Sequence, residues 1–174
     1  MGKVLSTFDI GWPGAISRSV DDIVISMKNA GSAAIPFGAP VFLTADGEGV
    51  VGYNPNASPA QTFASFVGFA VRSAGKTPDT YPARQDMSSI RNDQSGAWNP
   101  GEVVEVLVRG TIAVETTVGF LAGGNVYLRK EDGALVPEAG QEGTTILLEN
   151  VKMRTPQENY RPCSEVLITM RNIQ

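Results

Sequence analysis

The sequence predicts an all-β fold, an antiparallel barrel or sandwich of about nine short strands with long loops and at most short helices. Three observations carry this. Short runs rich in β-branched and aromatic residues recur at intervals of roughly 8–15 residues. Glycine and proline, 19 and 11 of the 174 residues, favour turns over long helices. Turn signatures, among them Asp46-Gly47, Gly123-Gly124 and Asp132-Gly133, stand between the runs.

The elements follow in order. Residues 1 to about 20 mix Gly, Ser and Pro with few apolar runs and read as a loop-like segment. A first strand is predicted over 23–27, and two more over 40–44 and 50–53, folded into a hairpin by Asp46-Gly47. Ser58 as N-cap, Pro59 at the first helical position and Gln61 three residues after the cap predict a helix of two turns near 59–64. It must end early, because 66–71 already reads as a strand.

Residues 72–101 change character, with three prolines, many polar groups and few apolar side chains. A loop of that length is uncommon inside a compact domain. Strand signals return at 103–108 and 111–115, predicted to pair antiparallel across Arg109-Gly110; in the second run Ile112 and Val114 share one face. Asn125–Arg129, 135–136, 144–149 and 165–170 complete the set.

Composition narrows the function. A chain of 174 residues suits one β-rich domain with a real core, the 72–101 segment being an insertion in it. Net charge is −4, so no basic field invites nucleic acid, and no apolar stretch is long enough for a helical membrane span. Histidine is absent, which removes the commonest general base and the usual zinc ligand. One cysteine, Cys163, allows neither an intrachain disulfide nor a paired-cysteine metal site, and reads as a small buried group.

Residues 70–77, AVRSAGKT, match a relaxed phosphate-loop pattern, yet the context refuses it. Such a loop needs a helix starting at its Lys-Thr so that free amides face the phosphates. Pro78 pushes Thr77 out of the helical region, and Pro82 would break the next turn. Lys76 is therefore read as a solvated loop charge. Asp21-Asp22 and Glu131-Asp132 point to opposite faces of any strand, and no serine has a histidine partner. No catalytic, cofactor-binding or metal-ligating residue is assigned, and the chain is expected not to be an enzyme.

Trp12 and Trp98 lie in predicted loops. They either cover the ends of a barrel or anchor a protein interface, where Trp and Arg are enriched. The few apolar groups of 72–101 cannot offset the ordering of thirty residues at roughly 1–2 kcal/mol each. That segment is either held by a partner, with Trp98, Arg84 and Arg91 as anchors, or folded over its own barrel. Trp12, Arg84, Arg91 and Trp98 are thus the candidate subunit or partner contacts.

The order of the signals resembles a known family. Gly14-Ala-Ile-Ser precedes the first strand, followed by Ala34-Ile-Pro-Phe-Gly-Ala-Pro-Val41 and Phe66-Val-Gly-Phe-Ala-Val71. Then come Gly101-Glu-Val-Val-Glu-Val-Leu-Val-Arg-Gly-Thr-Ile-Ala-Val114, Gly124-Asn-Val-Tyr-Leu128 and Asp132-Gly133-Ala-Leu135. The chain is similar, from about residue 11 to its end, to the capsid cement (decoration) proteins of tailed bacteriophages. Each motif alone is only a strand-turn signature, and their order carries the likeness. The resemblance implies a non-enzymatic virion component, made in the bacterial host cytoplasm, that binds the capsid exterior as a homotrimer. It would clamp neighbouring copies of the phage major capsid protein, without nucleic acid, membrane or cofactor. A phage tail or baseplate β-module and a small-ligand-binding barrel or enzyme are the competing expectations.

Overall fold

The computed structural model describes residues 12–17, 21–73, 96–116, 119–155 and 163–169. These hold eleven strands: β1 (Ile23–Asn29), β2 (Ile35–Pro36), β3 (Pro40–Leu43), β4 (Gly49–Gly52), β5 (Phe66–Ala70), β6 (Ala97–Trp98), β7 (Val103–Glu115), β8 (Asn125–Arg129), β9 (Leu135–Val136), β10 (Thr145–Met153) and β11 (Cys163–Ile168). The all-β expectation holds. Neither β2 nor β6 is read from the sequence: two residues leave no periodicity to detect, and no turn signature points to them as Asp132-Gly133 points to β9.

Five strands close on themselves. β1 pairs β4, β4 pairs β3, β3 pairs β5, β5 pairs β7, and β7 returns to β1. All of these contacts are antiparallel except the short β1–β4 contact. The ring is a small barrel. From its β7 wall a second sheet continues in the order β7-β11-β10-β8-β9. β2 and β6 form a separate two-stranded ribbon.

β7 belongs to both halves, and here one expectation is corrected. The 103–108 and 111–115 runs do not fold back on each other; they form one continuous strand of 13 residues. The first part pairs with β1, and Gly110 to Glu115 pair with β11. The physical reason lies in the supposed turn. A two-residue hairpin of type I′ wants positive φ at both central residues, and Arg109 is a poor candidate for the first. Gly110 does take a positive φ, 124°, but as the point where the strand passes from one sheet to the other.

Consecutive apolar residues explain the layering. Along β3, β5 and β7 the neighbours Val41 and Phe42, Ala70 and Phe69, and Val106 and Leu107 are all buried, yet successive side chains must point to opposite faces. The first of each pair joins a core inside the barrel with Ile35, Phe37, Val50, Trp98 and Val104. The second joins a larger core against the second sheet, which supplies Val126, Leu128, Leu148, Val151, Val166 and Ile168. Phe66 and Phe69 share that face although three residues apart. A register shift opposite Val41 and Phe42 takes up the extra residue as a bulge. The two rings then meet edge-to-face at 5.5 Å.

The predicted two-turn helix is also corrected. A single 3-10 turn occurs later, at Phe63–Ser65, with Thr62 as its N-cap. Gln61 is a buried bridge instead: its carbonyl accepts from Asn54 N–H at 2.7 Å, and its amide donates to Gly52 O at 3.0 Å. Those bonds satisfy backbone groups at the end of β4 that no strand reaches, which outweighs the local helix signal.

Candidate interaction surface

The residues singled out from the sequence fall in three different settings. Trp98 is turned inward. It lies in β6, paired with Ile35, at 6% exposure. Its indole N–H donates to Val71 O at 2.9 Å, and its ring meets Phe37 edge-on at 5.9 Å. Of the two readings of this tryptophan, packing on its own barrel is the one the structure displays. The residues after 95 are therefore part of the fold: Asn29 Nδ2 donates to Trp98 O at 3.0 Å, and Gly101 N–H to Asn29 O at 2.8 Å.

Trp12 is placed differently, at 38% exposure. It opens a short segment laid along the second half of β7. Gly14 N–H donates to Ala113 O, Ser17 N–H to Thr111 O, and Ala113 N–H to Ala15 O, at 2.8 to 2.9 Å. Arg72 N–H also donates to Gly14 O at 2.8 Å, and the Arg72 guanidinium lies 5.4 Å from the centre of the Phe37 ring. The segment read as loop-like is thus stitched to both lobes over 12–17, through backbone bonds that leave no mark in side-chain composition. Arg84 and Arg91 lie outside the described residues, as do 74–77 of the AVRSAGKT stretch. Its first residue, Ala70, is buried at the end of β5.

The remaining surface carries isolated apolar side chains. Leu121 is 81% exposed, and Val103, Val24, Ile16, Leu43 and Leu147 are exposed to lesser degrees. Leu121 sits on a firm support. Phe120 beside it is buried, Gly123 N–H donates to Met153 O at 2.6 Å, and Met153 N–H returns a bond to Gly124 O at 3.0 Å. The Gly-Phe-Leu-Ala-Gly-Gly stretch held that signal, two large apolar residues inside a glycine turn of which only one can face the core.

Charged groups on the described surface build turns. Arg129 Nε donates to Asp132 Oδ1 at 2.8 Å across the β8–β9 hairpin, and the hydrogen bond from Arg129 holds the Asp132 carboxyl down at about 2. Asp46 is also lowered, first by the Thr44 hydroxyl, which donates to it at 2.5 Å. The Tyr53 phenol is pushed up by burial and by Asp132, and it donates to Lys130 O at 2.9 Å, tying the hairpin to the barrel. Among the described residues no group of three or more carboxylates or thiols is arranged to hold a metal. No helix of the described residues is long and apolar enough to cross a membrane.

Residues 3–162 match the family described as structural cement protein (E217 gp24/Pam3 gp6). The chain belongs to this family of phage structural proteins. The structure is similar to a chain of the capsid of Myoviridae phage XM1, with a TM-score of 0.63 over 94% of this chain and 93% of that one. Identity to it is 14%, so this likeness concerns the fold. Comparison with curated proteins found no match.

Proposed function

We propose that the chain is a capsid-exterior cement protein, a homotrimer that stabilises a phage shell by clamping neighbouring major capsid proteins. The family match over residues 3–162 carries this reading. The architecture supports it. Two cores share three strands, which resists shearing one lobe past the other, and the exposed Leu121 sits on a turn held by backbone hydrogen bonds. Such preorganised contacts lose little entropy on binding. Trp12, with Arg84 and Arg91, stays in the proposed contact set; Trp98 serves the fold. The protein acts without a cofactor, and its place is the virion.

The test mixes purified protein with expanded phage shells that lack it. Co-sedimentation at saturating stoichiometry and a higher disruption temperature for decorated shells are expected. A protein that stays in the supernatant while forming rings of its own would point to a tail or baseplate module. Sedimentation of the bound material as single 18.4 kDa chains would remove the trimer.

A further inference from the structure

Among the described residues the barrel has an unfinished seam. β1 is seven residues long, yet it meets β4 only at Lys28 and Asn29. The direction of each amide follows from the bonds at its end. Asn29 N–H donates to Glu102 O and Asn29 O accepts from Gly101 N–H, so Asn29 faces β7, while Ala30 N–H turns the other way to Val50 O. Alternation along the strand then aims Ile25 and Met27 at their β7 partners, Val106 and Val104. Val24 and Ser26 aim their N–H and C=O groups into the seam, where no strand among the described residues pairs with them.

Two other edges among the described residues are blunted. β9 is two residues long and followed by Pro137, and the far side of β7 is covered by 12–17. β1 contains no proline, and its outward side chains at 24 and 26 are a valine, 40% exposed, and a serine. Carboxylates surround this edge. Asp22 precedes it, Asp46 and Glu48 stand on the hairpin beside its far end, and Glu105 lies across from Ser26. Arg109 is bonded to Asp21, which leaves Lys28 as the cation on the strand itself.

We infer that the β1 edge accepts an added strand: an extended segment of the shell protein, flanked by lysine or arginine, that pairs with Val24 and Ser26 and closes the seam. Main-chain hydrogen bonds hold such a strand, and the surrounding carboxylates select its basic flanks. This rests on the cement reading and assigns it a binding element.

The experiment is amide exchange on free and shell-bound protein, together with shell binding by Ser26→Pro and by Asp22→Lys/Glu48→Lys. The Ser26 amide points away from β7, so proline there blocks the edge and spares the barrel ladder. Expected are amides at Val24 and Ser26 at least ~10-fold slower on shells than free, and binding at least ~10-fold weaker for both variants. Wild-type binding with unprotected amides, or with full-strength binding by the lysine variant, overturns the added strand and leaves the cement function standing. Failure of the wild-type protein to bind shells overturns both. Protection that arises in free protein on self-association assigns the seam to a second copy and overturns the shell partner.

Discussion

The barrel interior and the layer between barrel and second sheet share strands but are filled differently. On β3, β4, β5 and β7 the fully buried inward positions are small, Val41, Val50, Ala70, Val104 and Val106, while β1 adds the partly buried Ile25 and Met27. The large groups Phe37 and Trp98 arrive from outside those strands. On the opposite face of the same strands stand Phe42, Phe66, Phe69 and Leu107, against the long aliphatics of the second sheet. A barrel of five strands has a narrow lumen, whereas two stacked sheets stand about 10 Å apart and need bulk between them. The difference teaches that side-chain size, more than hydrophobicity, records which face of these strands is which.

The sharpest way to break this comparison is at Gly68, on the strand between the two cores. A Cβ there would sit 2.1 Å from Leu107 O, a backbone atom that cannot yield without moving β7. Gly68→Ala is expected to cost more than about 4 kcal/mol or to prevent folding. Urea unfolding at wild-type stability would refute the close β5–β7 approach.

Paired truncations sharpen it next. Phe42→Ala is expected to cost about 3–5 kcal/mol and Val41→Ala roughly half as much, since the layer loses more volume than the barrel. Because the neighbours enter different cores, the double variant should be additive within about 0.5 kcal/mol. Strong coupling in a denaturant double-mutant cycle would merge the two cores into one.

The two tryptophans separate fold from surface. Trp98→Phe removes the indole donor from Val71 O and should cost about 1–2 kcal/mol without weakening shell binding. Trp12→Ala should change stability by about 0.5 kcal/mol or less and weaken binding. Melting curves beside co-sedimentation would expose an exchange of these roles.

The smallest effect is electrostatic. Asp132 titrates lower in the fold than in the unfolded chain, so the stability it contributes is present above about pH 4 and lost as pH falls towards about 2. Both partners are well exposed, so the effect should be modest. Arg129→Ala should flatten that part of the pH profile of unfolding; an unchanged profile would deny the pair any role in holding the β8–β9 hairpin.

Local chemistry made much of this readable. The Asp46-Gly47, Gly123-Gly124 and Asp132-Gly133 turns and the β-branched runs between them are decided by residues a few positions apart, so the all-β class and most strand positions were determined by the sequence itself. So was the order of signals that places the chain in its family. What depended on distant partners was not readable. Whether 103–115 bends back or runs on was settled by β1 and β11 competing for its two halves. The helix signal at 58–61 yielded to backbone groups of β4 that Gln61 satisfies. Trp98 became core because Val71 and Phe37, distant in sequence, complete its pocket. The seam left open among the described residues is likewise invisible along the chain, for such an edge is defined by where other strands stop. Periodicity reports which face of a strand is apolar; only the assembled sheet decides which neighbour each edge meets.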